Sequence, residues 1–337
     1  MHMADALLSP EVGLAFWGIS AGLVAYSSRK ITEENDNASM KTPLMGVMGA
    51  FVFAAQMINF SIPGTGSSGH IGGGLLLAIL LGPYRAFITL VSVLVLQCLF
   101  FADGGLLALG CNIFNMAFFP AFIAYPFIYR KIIGDSLNEG RLAGACVTAA
   151  VTGLLMGAFA VVVETVLSGA SDLPFKAFVL FMLPIHLLIG IVEGVATWGV
   201  LMFVTKTQPS LLTDSANSRM PKAIFACFAI AALALGGFLS CFASSQPDGL
   251  EWSISKVTGL EGLEGKAQDG IHKISAVIQK KLAFLPDYSF KSSVEGESAE
   301  KSTLHANMGT SLAGITGSVL VLLTAASFGM ILRKKKL

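Results

Sequence analysis

Charged side chains are scarce. Aspartate, glutamate, lysine and arginine make up 13% of the 337 residues, against about 25% in ordinary soluble domains. Hydrophobic residues reach 54% and the mean hydropathy is +0.72. That balance argues against a soluble enzyme and for a polytopic membrane protein. No basic excess exists to attract nucleic acid, because the formal net charge is only +1. Cysteine is sparse too. Cys98, Cys111, Cys146, Cys227 and Cys241 lie in or beside apolar runs and none are spaced as C-x-x-C. They read as small packing residues, not as disulfides or metal ligands. No basic stretch precedes the first apolar run, and acidic Asp5 and Glu11 flank it, so no signal peptide is expected. H-E-x-x-H is missing, which leaves a membrane metalloprotease poorly supported. The glycine spacing over 64–70 fits a phosphate-binding loop, but His70 stands where lysine is needed and Ile71 where serine or threonine is needed. The chain should therefore bind no nucleotide, and any use of ATP would fall to partner proteins.

What is present is a series of apolar runs. They cover about 12–26, 43–60, 71–82, 86–101, 106–129, 142–167 and 175–204. The run at 71–82 is short and is expected to be tilted or partly re-entrant. A polar stretch, 207–222, separates this block from two further runs at 223–243 and 308–332, with a polar segment, 244–306, between them. The expected fold is an all-α polytopic membrane protein. A seven-helix domain (1–206) joins a linker (207–222) and a two-helix module (223–337) that carries an extracytoplasmic segment. The 36 glycines suit close helix packing in lipid. With nine crossings, Arg29, Lys30, Arg85, Arg130, Lys131, Arg141, Lys206, Lys222 and the run Arg333–Lys336 share one side. The positive-inside rule makes that side cytoplasmic. The N-terminus, the 61–70 loop, the 102–105 turn and the 244–306 segment then face outward from a cell inner (plasma) membrane, with the C-terminus inside.

The outer face gathers residues with metal chemistry. A histidine at position two of a free N-terminus is a chelator. The α-amine of Met1, the deprotonated amide of His2 and the His2 Nδ1 can fill three corners of a square. Retention of Met1 is expected, because methionine aminopeptidases prefer a small second residue. A second imidazole, His70, could fill the fourth corner. Four nitrogens in a plane suit Ni(II) or Cu(II) better than Zn(II). On these residues alone, a frayed terminal histidine and a solvated loop histidine remain competing readings. Asp5, Ser68, Asp103, Asn112 and Asn115 are candidates to orient metal-bound imidazoles. Asp5 could equally be a helix cap, Asp103 a turn residue and the two asparagines packing amides. Glu164, His186 and Glu193 lie inside apolar runs, where ionisable groups are expensive. They read as polar contacts within the bundle, with their roles open.

The opening Met1-His2-Met3-Ala4-Asp5-Ala6-Leu7-Leu8-Ser9-Pro10 resembles the M-H-I-A-D-G-x-L-x-P start of the CbiM/NikM family. Those proteins are the substrate-capture components of energy-coupling-factor transporters for nickel and cobalt. The resemblance continues through Ile62-Pro63-Gly64, Ser68-Gly69-His70, Leu80-Leu81-Gly82-Pro83, Asp103-Gly104-Gly105, Asn112-Ile113-Phe114-Asn115-Met116-Ala117 and the stretch from His186 to Glu193. It covers about residues 1–206. Pro247-Asp248-Gly249-Leu250-Glu251 resembles the PDGLE-type N component, so the chain resembles an M–N fusion. The departures are Met3 for the usual Ile, Ala6 for the usual Gly, and a longer loop before His70. The resemblance implies a seven-helix M domain with its N-terminal segment tucked into the bundle, and a metal held by Met1, His2 and His70. It also implies a transmembrane coupling (T) subunit and cytoplasmic ATPase subunits as partners. The expected function is the substrate-binding membrane subunit of an ATP-dependent importer of Ni(II), with Co(II) as second choice. The metal is then transported substrate. The competing reading is a metal-dependent membrane enzyme or a stand-alone metal channel. An enzyme would want an open coordination position and a general base. A channel would want a polar pore, which these helices scarcely offer.

Overall fold

The structure is a computed structural model that describes residues 1–34, 41–134, 138–209, 222–259, 270–290 and 299–332, with side chains of the last stretch described from Met308. Most of the expected linker and the basic run Arg333–Lys336 lie outside the described residues.

After a short 3-10 turn at Asp5–Leu7, α1 runs from Pro10 to Glu33. Its start is dictated locally. The Ser9 hydroxyl accepts from Val12 N, Pro10 occupies the first turn and Glu11 adds negative charge there. The α2 helix (Lys41–Gln56) is buried along nearly its whole length. A hairpin follows, β1 (Phe60–Ile62) and β2 (Ser67–Gly69), antiparallel with Phe60 opposite Gly69. The expectation of helices and irregular loops alone is corrected here: the Gly/Ser loop is ordered. Gly64 and Gly66 take φ +78° and +74° at its tip, conformations that glycine adopts at little cost. Trp252 Nε1 donates to Thr65 O at 2.9 Å and ties the hairpin to the outer segment.

The α3 helix (Gly74–Leu81) has eight residues, about 12 Å of rise. It cannot cross a hydrocarbon layer of about 30 Å unaided. Gly82, at φ +83°, breaks the chain, and Pro83 opens α4 (Pro83–Phe101). The α5 helix (Leu109–Ile133) contains a long π-helical stretch, Phe114–Tyr129, with Pro120 and Pro126 inside it. The α6 (Glu139–Ser168) and α7 (Phe175–Thr207) helices pack along each other, with Gly190 and Gly194 against the backbone of Val151 and Val147.

The second module begins with α8 (Lys222–Gly237). Across one end of the bundle lie α9 (Gly249–Thr258) and α10 (Ile271–Leu282). The last helix, α11 (Ala299–Leu332), begins earlier than the apolar run that announced it. Gly46 and Gly49 of α2 bring that helix against Leu322, Ala326 and Val321 of α11, so the two modules share one bundle. Among the described residues five helices are long and apolar enough to cross a membrane: α4, α5, α6, α7 and the Met308–Leu332 part of α11. The chain is a multi-pass membrane protein. Against the nine crossings expected, α2 with 16 residues and α3 with eight are shorter than these five, and both are largely buried.

Candidate metal centre

The N-terminal tip is not frayed. Met1, Met3, Leu7 and Leu8 are all buried. Asn112, on α5, clamps Met3 from both sides. Its Oδ1 accepts from Met3 N at 2.7 Å and its Nδ2 donates to Met3 O at 3.2 Å. Gly105 N also donates to Met3 O, at 2.9 Å. Asp5 Oδ1 accepts from Ala108 N at 2.9 Å, so Asp5 fastens the tip to the 103–108 turn. It does not cap α1; Ser9 does. Gly105 lies against Asp5 with no room for a Cβ. Asn115 Nδ2 donates to Glu164 Oε2 at 2.7 Å and reaches Met3 Sδ at 3.7 Å.

This seating brings the nitrogens together. The Met1 amine lies 3.5 Å from His70 Nε2. The rings of His2 and His70 stack, with centroids 5.4 Å apart and planes within 17°. His70 Nδ1 faces its neighbour Ile71 O at 3.3 Å. Only an N–H can face a carbonyl, so that nitrogen carries the proton and Nε2 keeps its lone pair toward the amine. That is the tautomer a metal ligand requires. Burial pushes His70 down to about 3, helped by the positive charge of the terminal ammonium and by His2. His2 is likewise lowered, chiefly by burial. Its Nδ1 lies 3.1 Å from Asp103 Oδ1, and its Nε2 is buried with no partner among the described residues.

A residue whose role the sequence did not reveal completes the group. Asp248 Oδ2 accepts from the Met1 ammonium at 2.8 Å. Its Oδ1 accepts from Leu250 N and Glu251 N, capping α9 in a capping box with Glu251. Burial opposes ionisation of Asp248. The ammonium's charge and hydrogen bond outweigh it and hold the carboxyl well below the usual range. Asp-x-x-Glu is a capping pattern, and here it forms the box. No local signal announced a partner 247 residues away.

Other supports come from the bundle. Glu193, on α7, accepts from Gly72 N at 2.8 Å and Gly73 N at 3.1 Å, which fixes the chain just after His70. Gln56 Nε2 donates to Gly72 O at 2.7 Å, and Gln97 Nε2 to Gln56 Oε1 at 2.9 Å. Tyr288 OH donates to Asp103 Oδ2 at 2.6 Å. Ser68 does not serve the imidazoles. Its amide and hydroxyl bond Pro247 O and Gln246 O and hold the stretch that leads into Asp248. His186 Nδ1 donates to Met182 O at 2.7 Å, and its Nε2 has no partner among the described residues. A cavity of about 20 Å³, lined by Met1, His70, Asn115, His186, Glu193 and Asp248 among others, offers room for a water or an ion. On the other side of His2 a hollow of about 460 Å³ opens, bounded by Asp5, Asp103, His272 and Gln279 among others. No three His, Cys, Asp or Glu side chains among the described residues are grouped to hold a metal. The candidate donor set is two imidazoles and the main-chain nitrogens of the first two residues.

Comparison with known proteins adds an independent observation. A family model described as the cobalt uptake substrate-specific transmembrane region (CbiM) matches residues 2–211, and a PDGLE domain matches residues 222–334. The "Putative fused nickel transport protein NikMN" of Archaeoglobus fulgidus is 31% identical over 323 residues, 96% of each chain. The cobalt transport protein CbiM of Sorangium cellulosum is 31% identical over 215 residues, 63% of this chain and 94% of its own. A crystal structure of a truncated transition metal transporter, 30% identical, superposes with a TM-score of 0.53 over 61% of this chain and 99% of its own.

Proposed function

The chain belongs to the CbiM family, the substrate-specific transmembrane region of cobalt uptake, here carrying a PDGLE domain, and on that premise we propose that it captures nickel at its outer face for ATP-driven import. At the coarser level it is a membrane protein of the nickel and cobalt transport type, not an enzyme. The observation that carries the finer reading is the buried tip itself. A free amine 3.5 Å from the lone pair of His70 Nε2, beside a stacked His2, is a nitrogen donor set on the verge of closure.

In this reading Ni(II) takes four nitrogens: the Met1 amine, the His2 amide, His2 Nδ1 and His70 Nε2. Cobalt is the second choice of substrate. Capture exchanges partners, since His2 Nδ1 must leave Asp103 and the amine must lose its proton. Charge is conserved near Asp248. The ammonium carries one positive charge; a divalent ion on a deprotonated amide also leaves one. The carboxylate thus neutralises the tip in both states, so it need not leave for the ion to enter. Asp5, Asn112 and Asn115 hold the tip in place, and Asp103 holds the His2 ring before the ion enters.

Residues 1–206 form the capture domain, 207–222 a cytoplasmic linker and 223–337 the N module. The basic helix ends support a plasma-membrane orientation with the N-terminus outside and the C-terminus inside. ATP hydrolysis falls to cytoplasmic ATPase subunits acting through a transmembrane coupling subunit. Isothermal titration of Ni(II) into His70→Ala tests the donor set. A loss of more than about a hundredfold in affinity is expected, because even residues that only orient a metal ligand are worth about 10- to 100-fold. Unchanged binding removes His70. Uptake of radioactive nickel with and without the ATPase subunits separates an importer from a channel.

A further inference from the structure

The α10 helix divides its circumference into three flanks. At 100° per residue, the side that docks on the bundle centres on His272, Ser275 and Gln279. His272 Nε2 reaches Leu8 O at 3.0 Å, and Gln279 Nε2 donates to Gly104 O at 2.7 Å and Cys98 O at 3.0 Å. Leu8 sits just before α1 and Cys98 in the last turns of α4. The helix therefore reaches from the start of α1 to the C-terminal end of α4, a helix long and apolar enough to cross a membrane. His272, Lys273, Ala276 and Gln279 form the flank that walls the hollow beside His2.

The opposite flank is apolar and uncovered. Ile271, Ile274, Val277, Ile278 and Leu282 are all exposed, Ile274 by 61%. They share an arc of about 140°, centred about 170° from the hollow. Lys281 falls within the same arc. A lysine there can run its stem along acyl chains and keep its ammonium among phosphates. Just beyond, Phe284 rests on Phe100 and Phe101 and Leu285 N donates to Phe100 O at 3.3 Å, which pins the helix end to α4.

We propose that α10 is an interfacial helix, with its Ile274–Ile278 flank seated at the headgroup–acyl boundary, so that the lipid leaflet holds one wall of the hollow over His2. The occupant of that flank is lipid rather than a protein partner, because the exposed isoleucines and Lys281 share one arc of a helix docked at the end of a membrane-crossing candidate. This goes beyond the metal reading, and its test involves no metal, so either can fail alone.

The test uses the full chain in phosphatidylcholine vesicles containing shallow- or deep-brominated lipid. Tryptophan is introduced as Ile274→Trp on the apolar flank, and as Lys273→Trp or Lys280→Trp on other flanks. Emission is read as the difference from the parent, which retains Trp17, Trp198 and Trp252. At position 274 about half of the added emission should be lost to shallow-brominated lipid and less to deep-brominated lipid, as for a helix at the interface. At 273 and 280 the added emission should be little affected. Equal quenching at 274 and 273 overturns the proposal. So does blue-shifted emission at 274 that neither lipid quenches, which would mean that protein covers the flank.

Discussion

A single glycine placed ahead of Met1 perturbs one atom group and leaves every side chain intact. Behind an initiator methionine, such a glycine becomes the new terminus. The Met1 nitrogen then turns from a charged amine into a neutral amide, and the new amine is displaced by one residue, about 3.8 Å along the chain. That exceeds the 3.5 Å now separating amine and His70 Nε2, and the adjoining cavity is only about 20 Å³. Two losses follow. Asp248 is left without its cation. Removing one partner of a buried pair costs about 3–5 kcal/mol. Asp248 is 21% exposed, which brings the expected cost down to about 2–3 kcal/mol. That is about 30- to 150-fold in the equilibrium that seats the tip. The chelate also loses its terminal ring. Nickel affinity, measured by isothermal titration in nanodiscs, should therefore fall by at least about 30-fold. Asp248→Asn separates the two losses, because asparagine still caps α9. In that background the extension should scarcely change thermal stability and should still abolish tight nickel binding. The reasoning fails if the extended protein binds nickel like the parent, or if its stability loss is the same in both backgrounds.

Three further outcomes are expected. His70 is held near 3 by burial while an unfolded histidine titrates near 6.5, so between those values the unfolded chain binds the extra proton. Stability of the metal-free protein should fall as pH drops through that window, by up to about 1.4 kcal/mol per pH unit; thermal unfolding with a chelator present should show a shallower pH slope in His70→Ala, and equal slopes would count against a neutral buried His70. Gly105→Ala forces a methyl group onto Asp5; overpacking of about 1–3 kcal/mol should lower nickel affinity about 5- to 150-fold, while Gly22→Ala, with open space around it, should leave the titration unchanged. Tyr288→Phe removes the bond to Asp103. Bonds to charged groups are worth about 1.5–3 kcal/mol, so the metal-free protein should lose about that much stability in thermal unfolding, and far less in an Asp103→Asn background; additive losses would show that Tyr288 acts elsewhere.

Much of this molecule could be read from residue order alone. Membrane residence follows from apolar runs and a shortage of charge, since both act residue by residue. The terminal chelator could be read because amine, amide and imidazole are covalently adjacent at Met1 and His2. The caps, Ser9 on α1 and Asp248 with Glu251 on α9, are local chemistry too, though Asp5 was the residue expected to cap. Even the family resemblance is carried by short ordered stretches.

Tertiary structure alone decided who meets whom. Asp248 reaches the Met1 ammonium only because α9 and the hairpin share one end of the bundle. Ser68 serves the Gln246–Pro247 segment instead of the histidines because packing brings that segment alongside it. Gln56, Gln97 and Tyr288 sit in stretches with no motif, and each gains its role from a group brought near by packing. The 71–82 run, already short for a span, folds as eight helical residues between Gly73 and Gly82, both at positive φ. Periodicity and composition report what each segment wants from its solvent; they carry no term for the distance between segments, and this site is made almost wholly of such distances.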